Sequence, residues 1–600
     1  MDKNQYIGLV LMFGLLAIYF VYFSPEAPPI VEEQPVEQSQ QLDTEPIPSN
    51  TIADLNTQQA ESVDTLKYGV FSFAVTSNEE EQIIETDELT IVFSNHGGKI
   101  KAVTLNNHLD YLGNRVKIMD GTKSASHLQV QHQGKSINLS EVAFSPSVAN
   151  SNDTTTVTYT LSNGSFNVTQ TYKIPSTGFE IGYDVKSTGM NNILDPVDVA
   201  LLWNHNVTRA ENTLDDARLN CNVRYYQTDG EFDDLSQRST DFEEETLNNP
   251  LKWVSFKQKF FTIGLIAESA FKSGYVTTIA DVADTSSVKN ATMQLTIPYT
   301  EFLNGFAYRY YFGPNNYTIL KGVSDEFEEN LDMGWGPLPI VNKYLIIPIF
   351  HFLERFISNY GIIILIIVII IRLILSPLTY KSHMSMAKMR VMKPELDELK
   401  AKHGGDQTKA QQEQMKLYQK VGINPLSGCI PMLLQMPVLF ALFFFFPNAV
   451  ELRHQSFLWA HDLSTYDSII NLPFEIPFYG DHVSLFTLLM TVSTILITAS
   501  NAQMTTIQGP MKTIQYMMPI MFLFVLNSYA SGLTFYYFVS NMLTYGQTVM
   551  FRKLIDEDKI KAALEENRKN SGTKKKSKFQ SRLEDAMKAS QEAQRQKKKK

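Results

Sequence analysis

Apolar and polar positions follow three different rules along this chain. Almost unbroken apolar runs occupy Tyr6–Phe23 and, after residue 359, about 360–379, 430–446, 484–499, 514–526 and 532–551. Between about Tyr68 and Phe327 the rule is alternation. In "TTVTYTLSNGSFNVTQTYKI", Val157, Tyr159 and Leu161 alternate with Thr, and Phe166 and Val168 resume the alternation beyond Asn163-Gly164. Period two with an Asn-Gly break predicts a β-hairpin with a two-residue turn, because those residues tolerate positive φ. "DELTIVFSN", "FEIGYDVKS", "FFTIGLIAES", "ATMQLTIPY" and "FAYRYYFGP" repeat the pattern. Many short strands between polar turns predict one large antiparallel sandwich over 66–330. The charge run "DFEEET" at 241–246 reads as a loop. Residues 24–65, rich in Pro, Glu and Gln, bury too little surface to fold and read as a tether.

The apolar runs read as membrane spans. At about 1.5 Å per residue, Tyr6–Phe23 nearly crosses a hydrocarbon core of about 30 Å. It ends in Tyr22 and Phe23 with no small-x-small cleavage site, so residues 1–23 read as a retained anchor rather than a cleaved signal. Residues 331–358 mix apolar residues with Lys343, His351, Glu354 and Arg355, which suits an amphipathic helix at the interface. The five later runs form a helical core over 359–551. Several are short or contain Pro (Pro431, Pro437, Pro519), which implies a thinned bilayer or a shielded bundle.

Charge sets the orientation. Residues 380–425 hold nine Lys and Arg and the 552–600 tail about twice as many, whereas 447–483 holds only Arg453. Placing the basic segments in the cytoplasm puts both termini inside and the β domain and 447–483 outside. Residues 380–425 read as two helices broken at Gly404-Gly405. The formal charge of −11 averages acidic and basic regions and describes neither.

Candidate chemistry is sparse. Cys221 and Cys429 form no metal or redox pattern. His96, His108, His127, His132 and His205 have no catalytic spacing, and no nucleotide-binding motif occurs. The exception is Arg372, inside "GIIILIIVIIIRLILSPLTY". A charge near mid-span costs about 2.5–3.5 kcal/mol on insertion scales. Either its long stem snorkels to the cytoplasmic edge or it faces a hydrated cavity in the bundle. The later spans offer no Asp or Glu in their cores. Gln435, Asn501, Gln503, Thr534, Asn541 and Gln547 are polar groups that either join helices or line a wet groove with Arg372. A solute transporter with Arg372 as an anion site is an alternative, although no internal repeat is visible. A membrane-anchored hydrolase would need a nucleophile–base constellation the β region does not display.

"IIRLILSPLTYKSHMSMAKMRVMKPELDELK", "GINPLSGCIPMLLQMPVLFALFFFF" and "SGLTFYYFVSNMLT" are similar to the YidC/Oxa/Alb family of membrane protein insertases. The anchor and large β domain add a resemblance to its Gram-negative members. The resemblance implies a six-span inner-membrane protein, an N-terminal anchor plus a five-helix insertase core, with a periplasmic β-supersandwich. It implies a groove, open to cytoplasm and lipid, in which Arg372 attracts polar or acidic segments of a client, with Gln435, Thr534 and Asn541 lining it. Met436, Pro437 and Tyr537 would contact the client's apolar segment on a face formed by the third and fifth transmembrane helices. Where the family often has Thr one turn before the Arg, this chain has Val368. Met384, Met389, Lys388 and Arg390 are expected client or ribosome contacts, with packing of the Met side chains within the 380–425 hairpin as the alternative. Expected partners are nascent membrane proteins, the Sec translocon, the ribosome (its RNA through the basic tail) and lipids, with a monomer as the working unit and no cofactor.

Overall fold

The computed structural model describes residues 67–75, 78–402, 407–423, 430–502 and 510–569. The N-terminal apolar run, the tether, the Gly404-Gly405 break, Cys429, Gln503 and the end of the basic tail lie outside them. Two compact units meet in sequence at Asp332 and Met333.

The first unit is β-rich and antiparallel. It contains a nine-stranded, a six-stranded and a four-stranded sheet. Apolar residues at alternate positions supply the interior. In Thr154–Ser162 and Asn167–Pro175, Val157, Tyr159, Leu161, Val168, Tyr172 and Ile174 are buried. Trp203, on the six-stranded sheet, meets Phe256, Tyr310 and Phe312 of the nine-stranded sheet at ring-centroid distances of 5.6, 5.8 and 6.3 Å. Such aromatic contacts knit two sheets into one core.

Two sequence expectations are corrected here. The Asn163-Gly164 connection is a four-residue loop, closed by the Ser162–Asn167 pair. Only Gly164 has positive φ (85°), whereas a two-residue type I′ turn requires it at both positions. Asn163 instead accepts the Ser165 and Phe166 amides on its Oδ1, at 3.0 and 3.3 Å. Within the 241–246 charge run, Glu243–Leu247 is not a loop but the edge strand of the six-stranded sheet, paired with Ser273–Ile279. Charged residues on an edge strand oppose pairing with other chains, so the run carries strand and charge together.

Buried charge gathers where this unit ends. Asp332 accepts from Arg224 Nη2 and Lys257 Nζ, each at 2.6 Å, and from Gln237 Nε2 at 3.0 Å. The Arg224 and Lys257 side chains are almost wholly buried. Burial alone would raise the Asp332 pKa, but the two cations outweigh it and hold the carboxyl below its usual range. Burial pushes the Lys257 ammonium down to about 8 against the pull of Asp332.

The second unit is helical. Its labelled helices are α1 (Tyr360–Val391), α2 (Lys393–Lys402), α3 (Gln407–Val421), α4 (Ile430–Asn448), α5 (Leu485–Ala502), α6 (Pro510–Leu526), α7 (Ser531–Leu554) and α8 (Glu557–Lys569). Ahead of α1, Leu338–Val341, Asn342–Ile346 and Ile347–Glu354 run on as one helical stretch whose middle section is a π turn. Phe350 and Leu353 are buried while Ile340, Tyr344 and Phe352 are exposed, so apolar surface faces outward as well as inward. Buried Asn342 donates to the Ala441 carbonyl of α4 at 3.0 Å and pins the stretch in place.

Among the described residues, α1 alone is both long and apolar enough to cross a membrane. Gln435–Asn448, Leu485–Ser500 and Ile514–Leu526 are shorter apolar helices. α1 has 32 residues, roughly 48 Å at 1.5 Å each, so the first span and the first arm of the 380–425 segment are one continuous helix.

Candidate functional site

Asn359 starts α1 by accepting the Ile362 amide at 3.1 Å, and the helix then carries Arg372 into the bundle. Arg372 is only 8% exposed, which separates it from a snorkelling side chain with its head in water. Its Nη2 donates to Ser540 Oγ of α7 at 2.5 Å. Tyr536 and Tyr537 lie one turn earlier than Ser540 on α7. Among the described residues, no carboxylate pairs with Arg372. A buried guanidinium has five N–H donors, and one hydroxyl leaves most of that capacity for water or a visiting anion.

The other expected groove residues divide. Asn541 Nδ2 donates to Ser493 Oγ (3.0 Å) and Thr494 Oγ1 (2.8 Å), joining α7 to α5. Thr534 is fully buried and its Oγ1 donates to the Ser531 carbonyl of its own helix. Both polar groups are engaged within the bundle, where they brace the helices around Arg372. Gln435 is half-buried on α4. Met436 is exposed, with Phe440 one turn on also exposed, while Pro437 and Tyr537 are half-buried. On α6, Met517, Met518, Met521 and Phe524 are exposed. Flexible Met side chains adapt to varied apolar partners.

Sequence reasoning passed over Ser540 and the α6 methionines. The first was legible as an i, i+4 polar row on α7 (Tyr536, Ser540, Thr544), and the second in "YMMPIM".

At the opposite end of α1, Met384 and Met389 pack against a cluster that includes Met392, Leu396, Tyr418, Phe551, Ile560 and Leu564. The last two belong to α8, a helix within the segment expected to form the basic tail. Ile560 and Leu564, at i, i+4, give α8 the apolar stripe that docks it. Arg390 pairs with Glu557, and Arg568 with Glu395. Arg390 and the two Met side chains are therefore committed in part to internal packing, and Lys388 is half-buried.

The 447–483 segment joins other helix ends. Asp467, 3% exposed, accepts from Trp459 Nε1 (2.8 Å), Ser484 Oγ (2.5 Å) and the amides of Leu485 (2.9 Å) and Phe486 (3.1 Å). It caps the N-terminus of α5, where free amides and the helix dipole favour an anion. The Thr465 and Leu463 carbonyls accept the Ser531 and Gly532 amides at the start of α7. Asp467→Ala removes the cap and orphans buried donors, so it is expected to destabilise the helical unit by about 2–4 kcal/mol. A lowered melting temperature of the purified protein in detergent checks this.

In the β unit, Ser124 Oγ lies 2.9 Å from His205 Nδ1. Burial pushes His205 down to about 3, and the ring is inaccessible to solvent. This pair is part of the core.

Comparison with known proteins covers both units. The "60Kd inner membrane protein" family matches residues 352–559 and the "YidC periplasmic domain" family matches residues 82–347. The chain is 42% identical to the membrane protein insertase YidC of Amoebophilus asiaticus, over 98% of this chain and 99% of that protein. It is 39% identical to the YidC insertase of Cytophaga hutchinsonii, over 99% of this chain and 98% of that one. Among solved structures, an active YidC insertase with its first transmembrane domain resolved aligns with 83% of this chain and 99% of its own, at 19% identity and a TM-score of 0.32.

Proposed function

The chain belongs to the YidC family of membrane protein insertases, and from that premise we propose how it inserts its clients. It is an inner-membrane protein with a periplasmic β domain. Six spans cross the bilayer: the N-terminal apolar run, α1, α4, α5, α6 and α7. Both termini lie in the cytoplasm, a placement the Lys and Arg distribution supports.

The buried, carboxylate-free environment of Arg372 carries the reading. A fixed positive charge in a wet groove attracts the polar or acidic segment that must cross, and shortens the apolar path it meets. The client's apolar segment leaves along the exposed faces of α4 (Met436, Phe440) and α6 (Met517, Met521) into lipid. Burial of that segment supplies the driving force, about 25 cal/mol per Å² of apolar surface. The membrane potential adds about 2.3 kcal/mol per negative charge per 100 mV moved outward. The segment formed by α2, α3 and α8, with the basic tail, receives clients from the ribosome, and the Sec translocon and membrane lipids are further partners. The relatives' names, over nearly the full length, favour insertion over solute transport.

The test is reconstitution of the purified protein in liposomes with a single-span client bearing an acidic outer segment. Protease protection of that segment is expected with the protein and not in empty liposomes. Equal protection in both would overturn the proposal.

A further inference from the structure

Strands Ile470–Ile476 and Gly480–Val483 form a two-stranded hairpin between α4 and α5. A lone hairpin of this kind is marginal in water and needs a surface to rest on. Its first strand places apolar Ile470, Leu472, Phe474 and Ile476 at alternate positions, with polar Asn471 and Glu475 and a Pro473 between them and a register shift after Asn471. Residues two apart share a face, so the strand has one apolar side.

The other side is anchored through the second strand at His482, while Asn471, Pro473 and Glu475 of the first strand are exposed. Asn471 pairs with His482, and His482 is 3% exposed. His482 stacks on Tyr466 at 3.8 Å between centroids, and its Nε2 lies 3.0 Å from the Asn527 carbonyl at the end of α6. Asn527 Nδ2 returns bonds of 2.8 Å to the Tyr479 and His482 carbonyls. The hairpin is thus bolted to the outer end of α6 through His482 and the Tyr479 carbonyl. On its apolar side Ile470 and Phe474 are 55% and 61% exposed, while Leu472 and Ile476 are half-buried.

Two observations identify the occupant. Tyr479 of the hairpin meets Phe524 of α6 at 5.5 Å, and Phe524 belongs to the exposed apolar row Met517, Met521, Phe524. The hairpin surface is therefore continuous with the row of α6 that faces lipid. No Lys or Arg occurs between Arg453 and Lys512, so the segment lacks the cations of an ordinary solvated loop. We propose that the hairpin lies in the outer leaflet, its Ile470–Phe474 side among the acyl chains beside α6, and holds the outer end of that helix at the membrane surface. This rests on the reading that α6 spans the bilayer.

The test uses the full chain with Cys221→Ala and Cys429→Ala, reconstituted in phosphatidylethanolamine–phosphatidylglycerol vesicles. Single cysteines at Ile470, Asn471, Phe474, Glu475 and Met521 carry an environment-sensitive fluorophore. Labels at 470 and 474 are expected to be quenched by doxyl-labelled lipid about twofold more than those at 471 and 475, following the strand's period of two. Aqueous iodide is expected to give the reverse order. Equal iodide access at all four hairpin positions would overturn the proposal. So would labels at 470 and 474 shielded from both quenchers, which would mean a protein cover. The Met521 label separates the two levels: lipid quenching there with none in the hairpin refutes the hairpin's place alone, and no lipid quenching at Met521 refutes the spanning reading as well.

Discussion

Insertion of a single-span client with an acidic outer segment is expected to fall about tenfold in Arg372→Ala and to persist in Arg372→Lys. Tenfold corresponds to about 1.4 kcal/mol, a modest share of what one charge is worth at that depth. Arg372 is buried against α7 with a single hydroxyl, Ser540 Oγ, as its described hydrogen-bond acceptor, so its positive charge is not cancelled in place. Alanine removes the charge and leaves Ser540 without its partner. Lysine keeps the charge but loses the planar fork, so its survival would mark charge as the operative property. The measurement is protease protection in liposomes, repeated with a client whose outer segment carries no acidic residue. That client is expected to depend much less on Arg372. If all three proteins insert both clients equally, attraction by Arg372 has no part in insertion, and sliding along α4 and α6 must suffice.

The second large effect lies in the β unit. Asp332→Ala leaves Arg224 and Lys257 buried without their shared carboxylate, and breaking a buried pair in this way costs about 3–5 kcal/mol. For a unit of this size that lowers the melting temperature by on the order of 10 °C. The pH dependence has a definite sign. The folded-state pKa of Asp332 lies below its unfolded value, so its contribution is complete above about pH 4 and is lost as pH falls through the folded value. The stability gap between wild type and Asp332→Ala is therefore expected to be full at pH 7 and to shrink below pH 4. Lys257 gives the same sign in a higher pH window. Its folded pKa is depressed, so the unfolded chain binds more protons above about 8 and stability rises with pH there. Without Asp332 this window opens at lower pH, and the variant is expected to recover part of its loss on mild alkalinisation. Thermal melts at several pH values test both statements. A gap independent of pH would remove Asp332 as the source.

Ser540 illustrates why a site is harder to read than a fold. A lone Ser among apolar residues is ordinary in a membrane helix, and only the packing of α1 on α7 makes it the acceptor for Arg372. Asn541, its neighbour, was the more conspicuous polar residue, yet its amide is used between α7 and α5. One residue along a helix is about 100° of rotation, enough to send two adjacent polar groups to different partners.

Period-two alternation by itself determined the β architecture, because a sheet with one buried face demands it, and most of the predicted strands lie where the pattern placed them. The long apolar runs and the uneven Lys and Arg carry the expectation of which parts meet lipid and which stay in water, since both are additive properties of composition. Tertiary structure decided the rest. It turned Arg372 inward, which an apolar surround cannot specify, because a helix apolar on every side has no phase. It made an edge strand of Glu243–Leu247, whose charges read as a loop, and it folded α8 back onto α1 and α3 through Ile560 and Leu564. It also brought Asp332 to Arg224 and Lys257, 108 and 75 residues away in the chain. Contacts over such separations depend on where the chain returns in space, and no local pattern of residues records that.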